Sequence, residues 1–391
     1  MNPGVLALSL CQALLTTGNV LLVSVTALIG QWLAPDEALI TFPVAMQFLG
    51  LMCATIPASF IMDKVGRKRG FVLGNIVGIL GAICCIRALY TEAFALLCVG
   101  TFMLGIGIGF GTLYRFAAVE LSDKGQQVRA ISIVMAGGVL AAIAGPNLAV
   151  YSQSLVADTP FVGAFWGLLV LYMLAITVLI FVRFPARRTD HADEVTRPLM
   201  EIIRQPVFIV SVLVAMVSYT VMNLLMTATP LAMTGCGFSF QQAAGVIQLH
   251  VLGMFIPGFF TGKLIARFGT IPMITVGGLL LLACISINLN GQSQWHFSAA
   301  LLLLGVGWAF MFISATHMVT GSYRDSEKPK TQATNEFLIF SMVALSAQAS
   351  GWLEASLGWE RMNLICIPVV VLVIAVVLFV GSRARPVNAS G

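Results

Sequence analysis

Long runs of apolar residues, separated by short polar segments, follow one another along the whole chain. A helix that crosses a membrane needs about 20 apolar residues to span a hydrocarbon core of about 30 Å. The pattern therefore predicts an all-α membrane protein with twelve transmembrane helices. The predicted spans are residues 5–30, 38–62, 70–90, 93–118, 128–151, 160–183, 207–231, 240–266, 270–290, 296–321, 333–355 and 360–382.

A longer polar stretch, Arg183 to Gln205, follows the sixth span. It predicts two six-helix bundles, residues 1–183 and 207–391, joined by a cytoplasmic linker at 184–206. A short echo supports this division, because Gly66 after the second span and Gly269 after the eighth close similar basic loops. Repeated bundles with a binding site between them are typical of secondary transporters.

Composition and charge support the membrane assignment. The 391 residues are 59% hydrophobic and 9% charged, whereas soluble domains carry about 25% charged residues. Nearly all Lys and Arg fall in loops or helix ends on one side, so this side and both termini are expected to be cytoplasmic. The N-terminus lacks the basic region of a cleavable signal, so the first span is expected to be retained.

Net charge and the absence of catalytic motifs in the sequence indicate which other partners to expect. The lipid bilayer is the expected surrounding, and the net charge of +5 calls for no nucleic acid. The sequence shows no Ser/His/Asp set, P-loop or zinc-hydrolase motif, so we expect neither an enzyme nor a cofactor.

The basic loop after the second span resembles a known motif. The run from Asp63 to Arg69 is similar to motif A of the major facilitator superfamily, although Ser59 stands where that motif begins with Gly. The resemblance implies the facilitator fold, with Asp63, Gly66, Arg67 and Arg115 as a gate that stabilises the outward-open state. The alternative is that the basic residues only anchor the topology.

Two pairs of residues in the second half predict a metal site. Met222 and Met226 are four residues apart, as are His250 and Met254, so each pair shares one face of a helix. Thioether sulfur and imidazole nitrogen suit copper, especially Cu(I). At 1.5 Å per residue, Met222 and His250 lie at similar depth, roughly 22 and 24 Å from the cytoplasmic side. Alternatively, methionine fills gaps in packing and the histidine bonds a neighbouring helix.

These pairs, with an offset of 28 residues from Met222 to His250, resemble the signature of the CcoA-like copper importers. The resemblance implies import of copper, as the transported substrate, across the bacterial inner membrane. It also implies delivery to assembly of cbb3-type oxidases, with copper chaperones as downstream partners. The same four residues would be the ligands, and Cys236 and Cys366 would be accessory thiols.

Other functions remain open. A drug exporter driven by protons usually carries a buried carboxylate, and the acidic residues here fall in loops or near span ends, which disfavours that function. An importer of an organic solute such as riboflavin is the main alternative, since such importers resemble this branch without its Met and His motifs. Aromatic residues would then line the cavity, among them Tyr219, Trp308, Phe310 and Phe312. A copper sensor without transport is a third hypothesis.

Overall fold

The structure is a computed structural model that describes residues 2–122, 126–156, 158–184 and 197–383. Within these ranges the regular structure is helical, with no β-strand. The α-helices are α1 Pro3–Leu33, α2 Phe42–Val65, α3 Arg67–Tyr90, α4 Phe94–Gly111, α5 Tyr114–Glu120, α6 Gln127–Gln153, α7 Val162–Phe181, α8 Leu199–Ile203, α9 Pro206–Gly235, α10 Phe240–Phe255, α11 Gly258–Phe268, α12 Thr270–Asn290, α13 Gln294–Val319 and α14 Lys328–Arg383.

The number of crossings depends on how the broken helices are counted. Among the described residues, ten helices are long and apolar enough to cross a membrane, or eleven if α10 and α11 form one bent span. Helix α14 has 56 residues, roughly 84 Å at 1.5 Å per residue, far more than a bilayer requires. Gly358, with φ 78° and ψ 165°, interrupts it between the last two predicted spans. Dividing α14 there brings the number to twelve, which stays a prediction.

Two predicted spans are broken inside the bundle. The eighth consists of α10 and α11, bent by 42° next to Pro257, which lacks a backbone N–H and clashes with the preceding turn. The fourth consists of α4 and α5, which are separated at Thr112 and Leu113. The predicted linker also contains a short helix, α8, just before α9.

The two basic loops have the same backbone conformation. Gly66 joins α2 to α3 with φ 91° and ψ 154°, and Gly269 joins α11 to α12 with φ 88° and ψ 166°. This region of φ and ψ is essentially restricted to glycine. The shared conformation is consistent with the expected correspondence between the two loops, which stays a prediction. We call the end of the bundle that carries these loops the basic end, and the other the far end.

Helices of the two predicted halves meet along two seams. Helix α2 packs against α14, and α6 packs against α10. Within the first half α1 packs against α6 and α7, and within the second half α9 packs against α13 and α14. The division into two bundles and a linker stays a prediction, but these two seams are where a rocking movement of the halves would take place.

Polar contacts seal both seams toward the far end. Thr41 on the α2 side donates a hydrogen bond to the carbonyl of Gln348 at 3.1 Å, and the Gln348 amide donates to Ala38 at 2.7 Å. Across the other seam, the Asn147 amide donates to the Gln248 oxygen at 3.0 Å. We call these contacts the far-end seal. If the basic end is cytoplasmic, as predicted, a molecule sealed in this way is inward-facing.

Candidate functional site

Four rings from three helices of the second half form an aromatic cluster: Tyr219 on α9, Trp308 and Phe312 on α13, and Phe340 on α14. The Tyr219 ring meets the other three edge-on, with centroids 5.3, 5.5 and 5.7 Å away. The rings of Trp308 and Phe312 stack at 4.9 Å with an interplanar angle of 11°, because residues four apart share a helix face. Both arrangements are favoured by the ring quadrupoles.

This cluster borders the seam between α2 and α14. Ser341, the residue after Phe340, donates a hydrogen bond to the Met52 sulfur on α2 at 3.1 Å. The rings of Tyr219, Trp308 and Phe312 are only partly buried. The indole nitrogen of Trp308 is shielded and has no hydrogen-bond partner. An unpaired buried donor costs about 1–3 kcal/mol, so the cluster is suited to a planar ligand that offers an acceptor.

An acidic residue of α14, Glu336, lies close to the aromatic cluster. Glu336 precedes Phe340 by four residues on α14, so it lies on the same face, one turn nearer the basic end. Its carboxylate interacts electrostatically with Tyr219 and with Arg115 on α5. The Arg115 guanidinium lies 4.9 Å from the Phe116 ring, and its Nε atom is buried without a hydrogen-bond partner.

The sequence predicts Glu336 near the start of the eleventh span, among the acidic residues at span ends. The structure instead begins α14 at Lys328 and places Glu336 two turns inside that helix. Glu336 is thus a partly buried carboxylate within a spanning helix, so the acidic residues do not disfavour a proton-driven exporter. The four-residue spacing of Glu336 and Phe340 is the feature of the sequence that places both residues on one face of a helix.

The predicted metal ligands are largely buried in the second half. His250 is completely buried, and Met222 and Met226 are 1% and 6% exposed, whereas Met254 is partly exposed. The His250 Nδ1 atom lies 2.9 Å from the carbonyl of Leu301 on α13. A carbonyl only accepts, so Nδ1 carries the proton and Nε2 keeps its lone pair.

The Nε2 atom of His250 is buried and has no hydrogen-bond partner. A metal-ligating histidine typically has its other nitrogen held by a carbonyl in this way. The same bond also suits a histidine that only ties α10 to α13. The assignment of Met222, Met226, His250 and Met254 as copper ligands stays a prediction.

The two accessory thiols lie in different surroundings. Cys236 follows α9 at the far end and donates to the Gln292 side chain at 3.0 Å. Partial burial and the nearby Glu354 carboxylate raise the pKa of the Cys236 thiol, which disfavours the thiolate that binds metals. Cys366 is buried in α14 and donates to the Met362 carbonyl at 3.5 Å. Their role as metal ligands stays a prediction.

The basic residues of the first loop make specific contacts within the first half. Arg67 forms an ion pair with Glu120 at the end of α5, with Nη2 and Oε1 2.6 Å apart, and Lys68 donates to the Ile180 carbonyl at 2.6 Å. These contacts go beyond anchoring in a lipid surface. The proposed gate of Asp63, Gly66, Arg67 and Arg115 stays a prediction.

Comparisons with known proteins identify the family and support the helical fold. The sequence profile described as Major Facilitator Superfamily matches residues 8–347. The chain belongs to the major facilitator superfamily. It is therefore a multi-pass membrane protein with the fold of a transporter, as the sequence predicted.

Individual relatives are similar over nearly the whole chain. Riboflavin transporter RfnT of Brucella anthropi is 39% identical over 99% of this chain and 97% of its own length. An uncharacterized facilitator-type transporter of Bacillus subtilis, YdeG, is 30% identical over 93% of this chain and 88% of its own. The crystal structure of the human organic anion transporter MFSD10 matches with a TM-score of 0.66 at 15% identity, covering 95% of this chain and 98% of its own; that similarity shows the fold alone. None of these three is named for copper.

Proposed function

We propose that this protein transports a planar heteroaromatic solute, of the chemical kind of riboflavin, by alternating access. The observation that carries the proposal is the partly exposed aromatic cluster, with its unpaired indole N–H, at the seam between the halves. Facilitator substrate sites lie between repeated bundles. The 39% identity with a riboflavin transporter supports the same substrate class. The setting we propose is the bacterial inner membrane, with both termini cytoplasmic.

The cluster provides a reason for such a ring to bind. Trp308 and Phe312 are already parallel, so a flat ring is able to extend the stack. Alternatively, a ring that lies edge-on to Trp308 is able to place an acceptor in the plane of the indole, where the free N–H points. Each aromatic pair contributes about 0.5–1.5 kcal/mol beyond the burial of apolar area. Rocking of the halves along the two seams then exposes the solute to either side in turn.

Copper import is the second candidate, because one observation favours it. The His250 Nε2 lone pair is buried and unpartnered, in the tautomer that a metal ligand requires. With Met222, Met226 and Met254 it would offer a soft ligand set for copper as the transported substrate. In that case the protein would supply copper for cbb3-type oxidase assembly, and the cysteines would assist.

One uptake experiment tests both candidates. Cells that lack their own riboflavin and copper importers would express wild type, Trp308→Leu, Met222→Leu or the control Trp166→Leu at equal membrane levels. Trp166 is 51% exposed on α7 and has no part in the aromatic cluster. Met222→Leu nearly conserves volume, so it removes the sulfur with little change in packing.

We expect wild type, Met222→Leu and Trp166→Leu to accumulate riboflavin, and Trp308→Leu to lose most of that uptake. Riboflavin uptake by Trp308→Leu equal to that of wild type would show that the cluster is packing. Accumulation of copper but not riboflavin by wild type, abolished by Met222→Leu, would replace the first proposal with the second.

A further inference from the structure

We propose that a polar face on the first half of the protein binds the hydroxylated part of the solute. The polar face consists of Gln12, Thr16 and Asn19 on α1 and Gln47 on α2. The proposal rests on the transport of a heteroaromatic solute proposed above. The aromatic cluster of the second half would hold the ring, and the polar face would select those rings that carry hydroxyl groups.

The spacing of residues on α1 brings three of these side chains together. Gln12, Thr16 and Asn19 follow one another at intervals of four and three residues, so they lie on one face of the helix. The Gln12 amide donates a hydrogen bond to the Thr16 hydroxyl at 3.0 Å. All three residues are partly exposed within a helix that is apolar enough to cross a membrane. Polar residues in such helices usually face the interior of the bundle or a water-filled cavity.

The same face of α1 is turned toward the second half. Val23 and Ala27 continue the spacing, are 7% and 1% exposed, and belong to the packed core that contains Leu225 of α9. On the opposite side of α1, Leu21 and Val25 belong to a second core formed mainly by the first half. Helix α1 also packs directly against α9. Toward the far end this face is therefore closed by apolar contacts between the halves, and nearer the basic end it carries the polar side chains.

Gln47 adds an unsatisfied acceptor to the polar face. Its amide donates to the Asn19 oxygen at 2.7 Å, while its own Oε1 atom is buried and has no hydrogen-bond partner. Gln47 is only 1% exposed, and buried polar atoms normally have a partner. A ligand hydroxyl is able to provide one, because it donates to the Gln47 oxygen while it accepts from the Asn19 N–H.

The polar face and the aromatic cluster lie at similar depth. Asn19 is 16 residues after the start of α1, and Tyr219 is 13 residues after the start of α9. Both helices begin at the basic end, so at 1.5 Å per residue the two residues lie roughly 24 and 20 Å from it. A solute whose ring stacks on the aromatic cluster therefore meets the polar face at its own level, on the other half.

The test compares two flavins that share one ring system. Riboflavin carries a hydroxylated chain, and lumiflavin has a methyl group in its place, so the ratio of their Kd values reports the chain alone. Flavin fluorescence measures both values on the purified full-length protein in nanodiscs, and a thermal melt of each variant confirms that it is folded.

The variants separate the polar face from the aromatic cluster. Thr16→Val and Asn19→Leu remove polar groups of the face, Thr16→Ser keeps the hydroxyl, and Trp308→Leu removes a ring of the cluster. Thr177→Val is the matched control, because Thr177 is exposed on α7 and donates to the Met173 carbonyl of its own helix at 2.9 Å.

We expect wild type to bind riboflavin at least about tenfold more tightly than lumiflavin, since each hydrogen bond contributes about two- to tenfold. Thr16→Val and Asn19→Leu should each lower this preference by about two- to tenfold, through weaker binding of riboflavin and an unchanged Kd of lumiflavin. Thr16→Ser and Thr177→Val should keep the preference of wild type. Trp308→Leu should weaken the binding of both flavins equally.

Three results would overturn the inference while leaving a riboflavin carrier in place. The first is equal binding of both flavins by wild type. The second is an unchanged preference in folded Thr16→Val and Asn19→Leu, and Thr16→Val alone decides if Asn19→Leu does not fold. The third is equal weakening of both flavins by Thr16→Val, which would mark a change in packing. If wild type binds neither flavin, the proposed function fails, and the inference fails with it.

Discussion

Replacement of either loop glycine by alanine should destabilise the protein through the backbone alone. Gly66 and Gly269 have φ values of 91° and 88°, in a region that costs other residues about 1–3 kcal/mol. A Cβ at Gly66 would meet no atom within 4 Å, and at Gly269 it would meet only the Pro272 ring at 3.8 Å. Collision of the new methyl group with neighbouring residues is thus excluded, so strain in the backbone is the expected cause of the lost stability.

The magnitude follows from that strain. A change of 1 kcal/mol shifts the Tm of a domain of 150–250 residues by about 2–4 °C, and larger proteins shift less. We therefore expect Gly66→Ala and Gly269→Ala each to lower the Tm by a few degrees. Because the two loops have the same conformation, their effects should be similar.

Two other glycines provide matched controls. Gly245 in α10 and Gly262 in α11 also have no atom within 4 Å of a built Cβ, and neither has a positive φ. Alanine in a helix is favoured over glycine by about 0.5–1 kcal/mol, so Gly245→Ala and Gly262→Ala should leave the Tm unchanged or raise it.

The assay is a thermal melt in detergent with a dye that fluoresces on reaction with thiols. Five cysteines suited to report unfolding are buried: Cys11, Cys85, Cys98, Cys284 and Cys366. Backbone strain predicts a lower Tm for the loop variants and an unchanged or higher Tm for the controls. Equal Tm values for the two groups would therefore refute the argument from backbone conformation.

Three further outcomes follow from the contacts. Arg197 pairs with Glu327 at 2.6 Å and holds the pKa of that carboxyl well below its usual range; the stabilisation is present above the unfolded pKa of about 4.3 and is lost as pH falls toward the folded value. The Tm difference between wild type and Glu327→Gln should therefore shrink below about pH 4, and a constant difference would contradict this. Thr41→Val removes the hydroxyl that bonds Gln348, so spin labels across the far end should show a larger outward-open fraction; an unchanged distance distribution would count against the far-end seal. His250→Leu removes the hydrogen bond to the Leu301 carbonyl, which keeps its partner within the helix, so the expected loss of stability is about 0.5–1.5 kcal/mol; a Tm equal to that of wild type would show that this hydrogen bond contributes nothing.

The sequence was sufficient for the features that depend on local pattern. Apolar length placed the helices within a few residues, because each span must cross the same thickness of hydrocarbon. The similar sequences around Gly66 and Gly269 paired the two basic loops, and both glycines have the same backbone conformation. Motif A predicted the superfamily, which the sequence profile confirmed.

Features that depend on how helices rotate against each other were not predictable in the same way. The sequence predicts Tyr219, Trp308, Phe310 and Phe312 as candidates to line a cavity. In the described part of the chain, Tyr219 packs against Trp308, Phe312 and Phe340, so Phe340 takes the place expected for Phe310. The position of Glu336 close to Tyr219 depends on the rotation of α14 against α9, which no short motif encodes. The assignment of the Met and His side chains as copper ligands stays a prediction, because it depends on the rotation of α9 against α10 in the same way.

The far-end seal has an energetic consequence for the transport cycle. Its polar contacts are bonds between neutral amides, hydroxyls and carbonyls, and each contributes only about 0.5–1.5 kcal/mol because water replaces it when the seam opens. The two facings of the carrier can therefore be close in free energy, with neither one a deep trap. A seal of this strength opens by thermal fluctuation, so the far end does not need an external source of energy to break these contacts.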